Sequence, residues 1–213
     1  MREPIHAILL DFDGTIVDSE PLHFEAWMEA VEPHGAGVAW DEYQRRFVGK
    51  TDVWAGRTFL AEAGHAADAA TVEEVRQTKH RIFRSRAPER LRIAAKTLQV
   101  IGQIAAHVRL AVVSSSDLQD VEPVLEAADL RGLIETTVYG GDVRRHKPDP
   151  EPYELALSRL RASNAIEKQH CLVFEDSSAG VASAKAAGLP VQSVDDPRKL
   201  PELLQATLEH IVR

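Results

Sequence analysis

An alternation of short apolar runs with helical segments constrains the fold of this chain more than any other feature of its sequence. Apolar runs with the length of buried strands fall at 7–10, 108–113, 134–139, 171–174 and 191–194. From about residue 93 onward, segments with helical spacing lie between them, at 94–106, 118–125, 150–160, 179–187 and 201–212. Strands joined by helices form a parallel, doubly wound sheet with right-handed crossovers. The sequence therefore predicts an α/β fold.

Residues 17–88 interrupt this alternation, because they contain helical patterns and no convincing strand. The first predicted helix has Pro21 in its first turn and apolar residues on one face, namely Phe24, Trp27, Met28 and Val31. A capping box over 71–74 is predicted to open a later helix whose apolar side carries Val75, Ile82 and Phe83. We therefore predict a helical domain over 17–88, inserted into an α/β core domain over 1–16 and 89–213.

The composition argues against several classes of protein. The formal net charge is -8, and the densest basic clusters, 84–86 and 144–147, are short, so we expect no nucleic-acid partner. No apolar run is long enough to span a membrane, and the N-terminus lacks a signal-peptide pattern. The single cysteine, Cys171, lies in an apolar run, which predicts a buried structural thiol and no internal disulfide. We expect a cytoplasmic monomer.

Two aspartates follow the first predicted strand at positions i and i+2. Side chains alternate between the faces of a strand, so Asp11 and Asp13 are expected to lean to the same side, and Gly14 then lets the chain turn. Carboxylates this close repel each other unless a proton or a cation separates them, and Mg²⁺ prefers oxygen ligands. Such a pair can supply a nucleophile and a general acid/base. The alternative is an ordinary turn rich in Asp and Gly.

Further polar residues follow other predicted strands. Ser114 follows the strand at 108–113, Glu175 and Asp176 follow the strand at 171–174, and Lys147 lies in a loop before a helix. Each has an ordinary explanation by itself: a hydroxyl at a strand end, acids favoured at a helix N-terminus, or a solvated lysine. Ligands bind beyond the carboxyl ends of the strands in such sheets. Together, these residues are the groups that phosphoryl transfer uses.

Four motifs, in this order and spacing, resemble those of haloacid dehalogenase (HAD) superfamily phosphotransferases that carry a helical cap inserted after the first strand. The motifs lie at 11–15, 112–114, 147–150 and 174–180. The resemblance covers nearly the whole chain and implies a Rossmann-like HAD core. Segments 22–27 and 48–51 resemble cap segments of the β-phosphoglucomutase-like branch.

The resemblance implies a role for each residue of these motifs. Asp11 is the nucleophile that takes the phosphoryl group. Asp13 protonates the leaving oxygen and then activates water. Ser114 hydrogen-bonds the phosphoryl oxygens, and Lys147 neutralises charge on Asp11 and on the phosphoryl group.

The resemblance also implies a Mg²⁺ site and residues that contact the substrate. Asp11 and Asp176 bind the ion through their side chains, and Asp13 binds it through its backbone carbonyl. Glu175 is either a second carboxylate ligand or an outer-shell partner. The cap is expected to set specificity by closing over the site. The candidate substrate-binding residues are Ser115, His23, Gly49 and Lys50.

These observations predict a Mg²⁺-dependent phosphatase that acts on a small phosphorylated metabolite, such as a sugar phosphate, through an aspartyl-phosphate. Dehalogenases of the superfamily lack the second aspartate of the first motif, and Asp13 is present here. The mutases of the branch carry an arginine three positions after the cap-loop glycine, where this chain has Asp52, and an acid repels the phosphate that an arginine would clamp. A phosphosugar mutase, a pyrophosphatase and a catalytically silent phosphometabolite-binding protein are the alternatives.

Overall fold

The computed structural model describes residues 4–161 and 166–212, which divide into two compact units. The sheet unit combines the described residues up to Asp18 with those from Arg92 onward, and the helical unit is Ser19–Leu91. The predicted insert, 17–88, begins two residues before the helical unit and ends three residues before its end. The interpretation of the sheet unit as a core domain and of the helical unit as a cap domain remains a proposal.

The described residues contain five strands and nine α-helices. The strands are β1 Ala7–Leu10, β2 Arg109–Val113, β3 Thr136–Val138, β4 Cys171–Glu175 and β5 Val191–Ser193. The helices of the helical unit are α1 Glu20–Val31, α2 Trp40–Arg46, α3 Asp52–Glu62 and α4 Ala69–Arg90. Those of the sheet unit are α5 Ala95–Ala105, α6 Leu118–Ala127, α7 Glu151–Arg161, α8 Ser178–Ala186 and α9 Leu200–Ile211. No helix in these ranges is both long and apolar enough to cross a membrane.

The strands form a single parallel sheet in the order β3-β2-β1-β4-β5 within the described residues, which confirms the predicted α/β fold. β4 is one residue longer than predicted, because the carbonyl of Glu175 accepts a hydrogen bond from the Val194 amide and so extends the ladder. Glu175 is therefore the last residue of a strand, and its backbone is fixed by the sheet.

The central position of β1 places the functional candidates at one edge of the sheet. Leu10 is in register with Val112 of β2 and with Phe174 of β4. All four residues of β1 are at most 1% exposed, because both faces of the sheet are covered. Since the three strands end almost level with one another, Asp11, Ser114 and Glu175 leave the sheet side by side.

Helices α7 and α8 cover one face of the sheet and form a continuous apolar core with it. From α7, this core includes Tyr153 and Leu157, which lie with Leu9 and Val113 of the central strands. Cys171 belongs to the same core and is 1% exposed, which confirms the predicted buried thiol. Burial raises the pKa of this thiol to about 11.

In the helical unit, α4 packs along α1 and against α3. The buried face of α1 consists of Leu22, His23, Ala26, Trp27, Ala30 and Val31. The predicted face was wrong in part, because Phe24 and Met28 are only half-buried. Phe24 instead makes edge contacts with two aromatic rings of α2, those of Trp40 and Tyr43.

Helix α4 begins earlier than the sequence predicted. Its N-cap is Asp68, whose Oδ1 accepts hydrogen bonds from the Ala70 and Thr71 amides, each at 3.0 Å. The predicted capping box at Thr71 is therefore wrong, since Thr71 lies in the first turn and its own hydroxyl donates to Asp68. The predicted apolar side is confirmed, because Val75, Ile82 and Phe83 are all buried.

Candidate active site

The carboxyl edge of the sheet unit brings together five residues singled out from the sequence. Asp11 directly follows β1, Ser114 follows β2, and Glu175 and Asp176 stand at the end of β4. Lys147 reaches them from the loop before α7. The site is thus built on three adjacent strand ends whose backbone positions are fixed by the sheet.

Lys147 is held by three acceptors. Its Nζ donates to Asp11 Oδ1 at 2.7 Å, to the Val113 carbonyl at 2.9 Å and to Glu175 Oε1 at 2.6 Å, so all three ammonium protons are used. The side chain is 5% exposed. Burial alone lowers the pKa of Lys147, but the charge of Asp11 and the neighbouring Tyr153 and Glu175 raise it well above its usual value. The residue is therefore a fixed positive charge beside Asp11.

Three carboxylates meet beside this lysine. One oxygen from each of Asp11, Glu175 and Asp176 lies within 4.8 Å of the others. Burial, reinforced by Glu175 and Asp176, raises the pKa of Asp11 well above its usual value, while Lys147 opposes the rise. Burial and then the charge of Glu175 raise the pKa of Asp176 to about 6. A cluster of oxygen donors that repel one another is suited to a hard divalent cation.

The carboxylate of Asp13 lies outside this cluster. Its Oδ2 accepts hydrogen bonds from Ser116 Oγ at 2.7 Å and from Ser114 Oγ at 3.3 Å, and the Ser116 amide donates to Ser114 Oγ at 3.0 Å. The structure thus groups Asp11 with the carboxylates of the β4 edge and not with Asp13. A metal-binding role for Asp13 would belong to its backbone carbonyl, as the resemblance implies.

Ser116 does not cap the helix that follows it, although serine is a common N-cap residue. The N-cap of α6 is Asp117, while the Ser116 hydroxyl donates to Asp13. Two serines from the loop after β2 therefore orient the candidate acid/base. The sequence contained the signal for this arrangement in the run of three serines at 114–116, but it did not show which hydroxyl would reach Asp13.

Four donors surround the carboxylate of Glu175, which is fully buried. Oε1 accepts from Lys147 and from the Tyr153 hydroxyl, the latter at 3.2 Å. Oε2 accepts from the Ser177 amide at 2.9 Å and from the Ser177 hydroxyl at 3.0 Å. Gly180 makes room for this carboxylate, because a Cβ there would lie 1.6 Å from Oε1.

The turn residues Gly14 and Thr15 both lie against Asp176. The Thr15 hydroxyl donates to Asp176 Oδ1 at 3.2 Å, a contact that sequence reasoning missed. Gly14 has φ = 80°, and a Cβ at this position would lie 2.2 Å from Asp176 Oδ2. The turn after β1 is therefore shaped both by a left-handed backbone and by the close approach of a candidate metal ligand.

The candidate substrate-binding residues belong to both units. Ser115 is exposed in the sheet unit. In the helical unit, His23 is buried and stacks on the Phe83 ring with centroids 4.1 Å apart. Gly49 and Lys50 are exposed, and Lys50 Nζ lies 5.6 Å from the centre of a Trp54 ring. Contacts of these four residues with a substrate remain predictions.

Asp52 is the counter-ion of a buried lysine in the helical unit. Its Oδ2 lies 2.8 Å from Lys79 Nζ and 3.1 Å from His80 Nε2, and the Lys79 side chain is 1% exposed. Although burial alone would raise the pKa of Asp52, the charge of Lys79 and the hydrogen bond with His80 hold it well below the usual value. Sequence reasoning missed this pair because Lys79 lies in another helix.

Known proteins resemble this chain in sequence and in structure. A family profile described as haloacid dehalogenase-like hydrolase matches residues 5–188. The chain is 30% identical to a phosphorylated carbohydrates phosphatase of Thermotoga maritima, over 93% of this chain and 91% of that protein. It is 31% identical to hexitol phosphatase A of Escherichia coli, over 94% of this chain and 88% of that protein. Among solved structures, CbbY of Rhodobacter sphaeroides in complex with phosphate matches with a TM-score of 0.74 and 26% identity, over 89% and 85% of the two chains.

Proposed function

Because the chain belongs to the haloacid dehalogenase-like hydrolases, we propose that it is a Mg²⁺-dependent phosphatase of small phosphorylated carbohydrates that works through an aspartyl-phosphate. The observation that carries this proposal is the contact of Lys147 Nζ with Asp11 Oδ1 at 2.7 Å. An anionic nucleophile can approach an anionic phosphate ester only where positive charge is already in place. A buried lysine with all its protons directed at fixed acceptors provides that charge without reorganisation.

The residues of the site divide the reaction between them. A carboxylate oxygen of Asp11 attacks phosphorus, and the bond from phosphorus to the ester oxygen breaks. Asp13 gives its proton to that leaving oxygen, and then takes a proton from the water that hydrolyses the aspartyl-phosphate. Ser114 and Ser116 support the proposal for Asp13, because both hydroxyls donate to Oδ2 and so fix the direction of its carboxyl group.

The donor set also fits a magnesium ion. Asp11 and Asp176 offer carboxylate oxygens within 4.8 Å of each other, and Mg²⁺ needs few protein ligands because it usually keeps several waters. We propose that these two side chains and the Asp13 carbonyl hold the ion. When bound, it supplies positive charge that offsets the repulsion between carboxylates and phosphate.

The substrate class rests on the names of the relatives, two of which are phosphatases of phosphorylated carbohydrates and of hexitol phosphates. The alternative, a phosphosugar mutase, would be supported by a cation at position 52 that holds the second phosphate of the substrate. Position 52 offers a carboxylate already paired with Lys79 and His80, which favours hydrolysis of substrates with a single phosphate.

Phosphate release tests the proposal directly. The protein is incubated with a panel of hexose phosphates, hexitol phosphates, phosphoglycolate, nucleotides and pyrophosphate, with Mg²⁺ or with excess chelator, and the same samples are analysed for isomerised sugar phosphate. We expect Mg²⁺-dependent release from one or a few phosphorylated carbohydrates. Isomerisation faster than release would move the protein to the mutases, and release from pyrophosphate alone would reject the carbohydrate class.

Asp11→Asn tests the nucleophile. We expect loss of turnover with an unchanged fold, because an amide cannot attack phosphorus effectively but has nearly the shape of the carboxylate. Asp142→Asn is the matched control, since Asp142 is an aspartate of the sheet unit that pairs with Arg159 outside the site. Phosphate release at the wild-type rate by Asp11→Asn would contradict the assignment.

A further inference from the structure

We propose that Tyr153 is a positioning residue of this site: its hydroxyl orients the carboxylate of Glu175, which in turn keeps the ammonium group of Lys147 directed at Asp11. The inference rests on the proposed phosphatase function and deepens it. It also gives Glu175 a specific task, which is to orient the lysine from outside the metal coordination sphere.

The hydrogen bonds of Glu175 leave no acceptor position for a metal. An ionised carboxylate has about four lone-pair positions. Lys147 and Tyr153 donate to Oε1, while the amide and the hydroxyl of Ser177 donate to Oε2. Binding a cation directly would require Glu175 to lose one of these bonds in a fully buried position, where an unmade hydrogen bond is costly.

Ser177 is itself anchored, so that Oε2 of Glu175 is fixed from the far side. Its hydroxyl donates to Glu175 and accepts from the Gly180 amide at 2.9 Å, as the N-cap of α8. Lys147 is mobile about four side-chain bonds unless its acceptors are fixed. The sheet fixes the Val113 carbonyl as one acceptor of Lys147, and the direction of the Glu175 acceptor, Oε1, then depends on the remaining donor, Tyr153.

Tyr153 is well placed to hold this direction. It is fully buried in α7 and belongs to the apolar core that α7 and α8 form with the sheet. Its ring lies 5.2 Å from Lys147 Nζ, and its hydroxyl lies 3.2 Å from Glu175 Oε1. One rigid side chain therefore contacts both members of the ion pair, with two torsion angles locked by packing.

Tyr153→Phe removes only the hydroxyl. The ring still packs in the core and still faces Lys147, and Lys147 still compensates the charge of Glu175. What is lost is the bond that fixes Oε1, so the ammonium group becomes less well directed. Outer-shell partners of this kind typically change activity or metal affinity by about 10- to 100-fold.

The matched control is Tyr139→Phe. Tyr139 is a second buried tyrosine of the sheet unit, and its hydroxyl donates to Glu122, a glutamate outside the acidic cluster. Both variants lose one bond from a tyrosine to a glutamate, and thermal melting checks that both are folded. Four quantities are measured for each: kcat, KM, and the dissociation constants of Mg²⁺ and of orthovanadate with Mg²⁺. Vanadate adopts the five-coordinate geometry of a transferring phosphoryl group, so its affinity reports the transition state.

For Tyr153→Phe we expect kcat to fall about 10- to 100-fold, with a parallel loss of vanadate affinity. The KM and the Mg²⁺ dissociation constant should change less than about threefold, because neither the substrate contacts nor the metal ligands are altered. Tyr139→Phe should leave all four quantities at their wild-type values.

Three results would overturn the proposal. A tenfold loss of Mg²⁺ affinity in Tyr153→Phe would mean that Glu175 is a metal ligand and that Tyr153 supports the metal. Unchanged kcat and vanadate affinity would mean that the hydroxyl has no positioning role, and equal losses in both variants would show a general effect of stability. Failure of the wild type to hydrolyse any phosphorylated carbohydrate would reject the proposed function alone, since Mg²⁺ and vanadate binding still test Tyr153.

Discussion

Replacing Asp52 with alanine is expected to destabilise the helical unit, because the change leaves a buried lysine without its counter-ion. Lys79 is 1% exposed, and its Nζ lies 2.8 Å from Asp52 Oδ2. Because the Lys79 side chain is almost fully buried, its ammonium group has little hydration to compensate for the lost carboxylate. The cost of an uncompensated buried charge therefore appears in the free energy of unfolding.

The size of the effect follows from distance and burial. At 2.8 Å and an effective dielectric constant of about 20, the attraction between the two charges is about 6 kcal/mol. Asp52 is 27% exposed and so keeps part of its hydration, which reduces the net value of the pair. Removing one partner of a buried pair typically costs about 3–5 kcal/mol, and we expect the lower end of that range.

Urea unfolding followed by tryptophan fluorescence measures this cost. All three tryptophans, Trp27, Trp40 and Trp54, lie in the helical unit, so the signal reports the unit that carries the pair. The double variant Asp52→Ala/Lys79→Met removes both charges and should recover most of the lost stability. Asp41→Ala is the control, because the Asp41–Arg45 pair is 71% and 67% exposed and its loss should be too small to resolve.

The pH dependence gives a second test with a definite sign. The folded-state pKa of Asp52 lies below its unfolded value, so the contribution is present above an unfolded pKa of about 3.9 and is lost as the pH falls below it. The difference in stability between wild type and Asp52→Ala should shrink as the pH falls below about 4. A cost of less than about 1 kcal/mol at pH 7, or a double variant no more stable than the single one, would refute the reasoning.

Three further predictions concern single residues. Gly14→Ala should weaken Mg²⁺ binding by about tenfold or more and reduce activity with it, because the new Cβ would lie 2.2 Å from Asp176 Oδ2. The control is Gly102→Ala, which has open space for its Cβ and should bind Mg²⁺ normally. Calorimetry of Mg²⁺ binding distinguishes the two variants. Lys50→Ala should mainly raise KM, because we propose that this exposed cation binds the substrate. The control is Lys96→Ala, which removes another exposed lysine and should leave KM unchanged. Unchanged steady-state kinetics of Lys50→Ala would reject the role of Lys50. Cys171 should react with alkylating reagents only as fast as the protein unfolds, because the thiol is 1% exposed and its pKa is raised to about 11; rapid labelling of the native protein would contradict its burial.

The sheet and the strand-end residues could be predicted from sequence because both depend on local patterns. Buried parallel strands are continuous apolar runs, and their carboxyl ends must lie at one edge. The position of Asp11, Ser114 and the pair at 175–176 followed from these two facts alone. The role of Lys147 needed the motif, since an isolated lysine in a loop carries no such signal.

Contacts made by loops and between helices could not be predicted in the same way. Ser116 and Asp13 are 103 positions apart, and their contact depends on the path of the loop after β2, which no periodicity encodes. A lysine in a helix is usually solvated, and the burial of Lys79 depends on Asp52 and Trp27, which belong to two other helices. The N-cap of α4 was misplaced for a related reason: Asp68 and Thr71 both match a cap, and only the backbone path distinguishes them.

The central strand of the sheet sets a limit on when this protein can become active during synthesis. β1 precedes every other strand as the chain leaves the ribosome, but its partner β4 follows most of the rest. The hydrogen bond of Thr15 with Asp176 can form only once a residue 161 positions later has been synthesised, and that of Lys147 with Asp11 joins residues 136 positions apart. A nascent chain that lacks β4 therefore carries Asp11 without Glu175 and Asp176, and an ion held by Asp11 and Asp176 would bind only after β4 is in place and would stabilise the protein against unfolding.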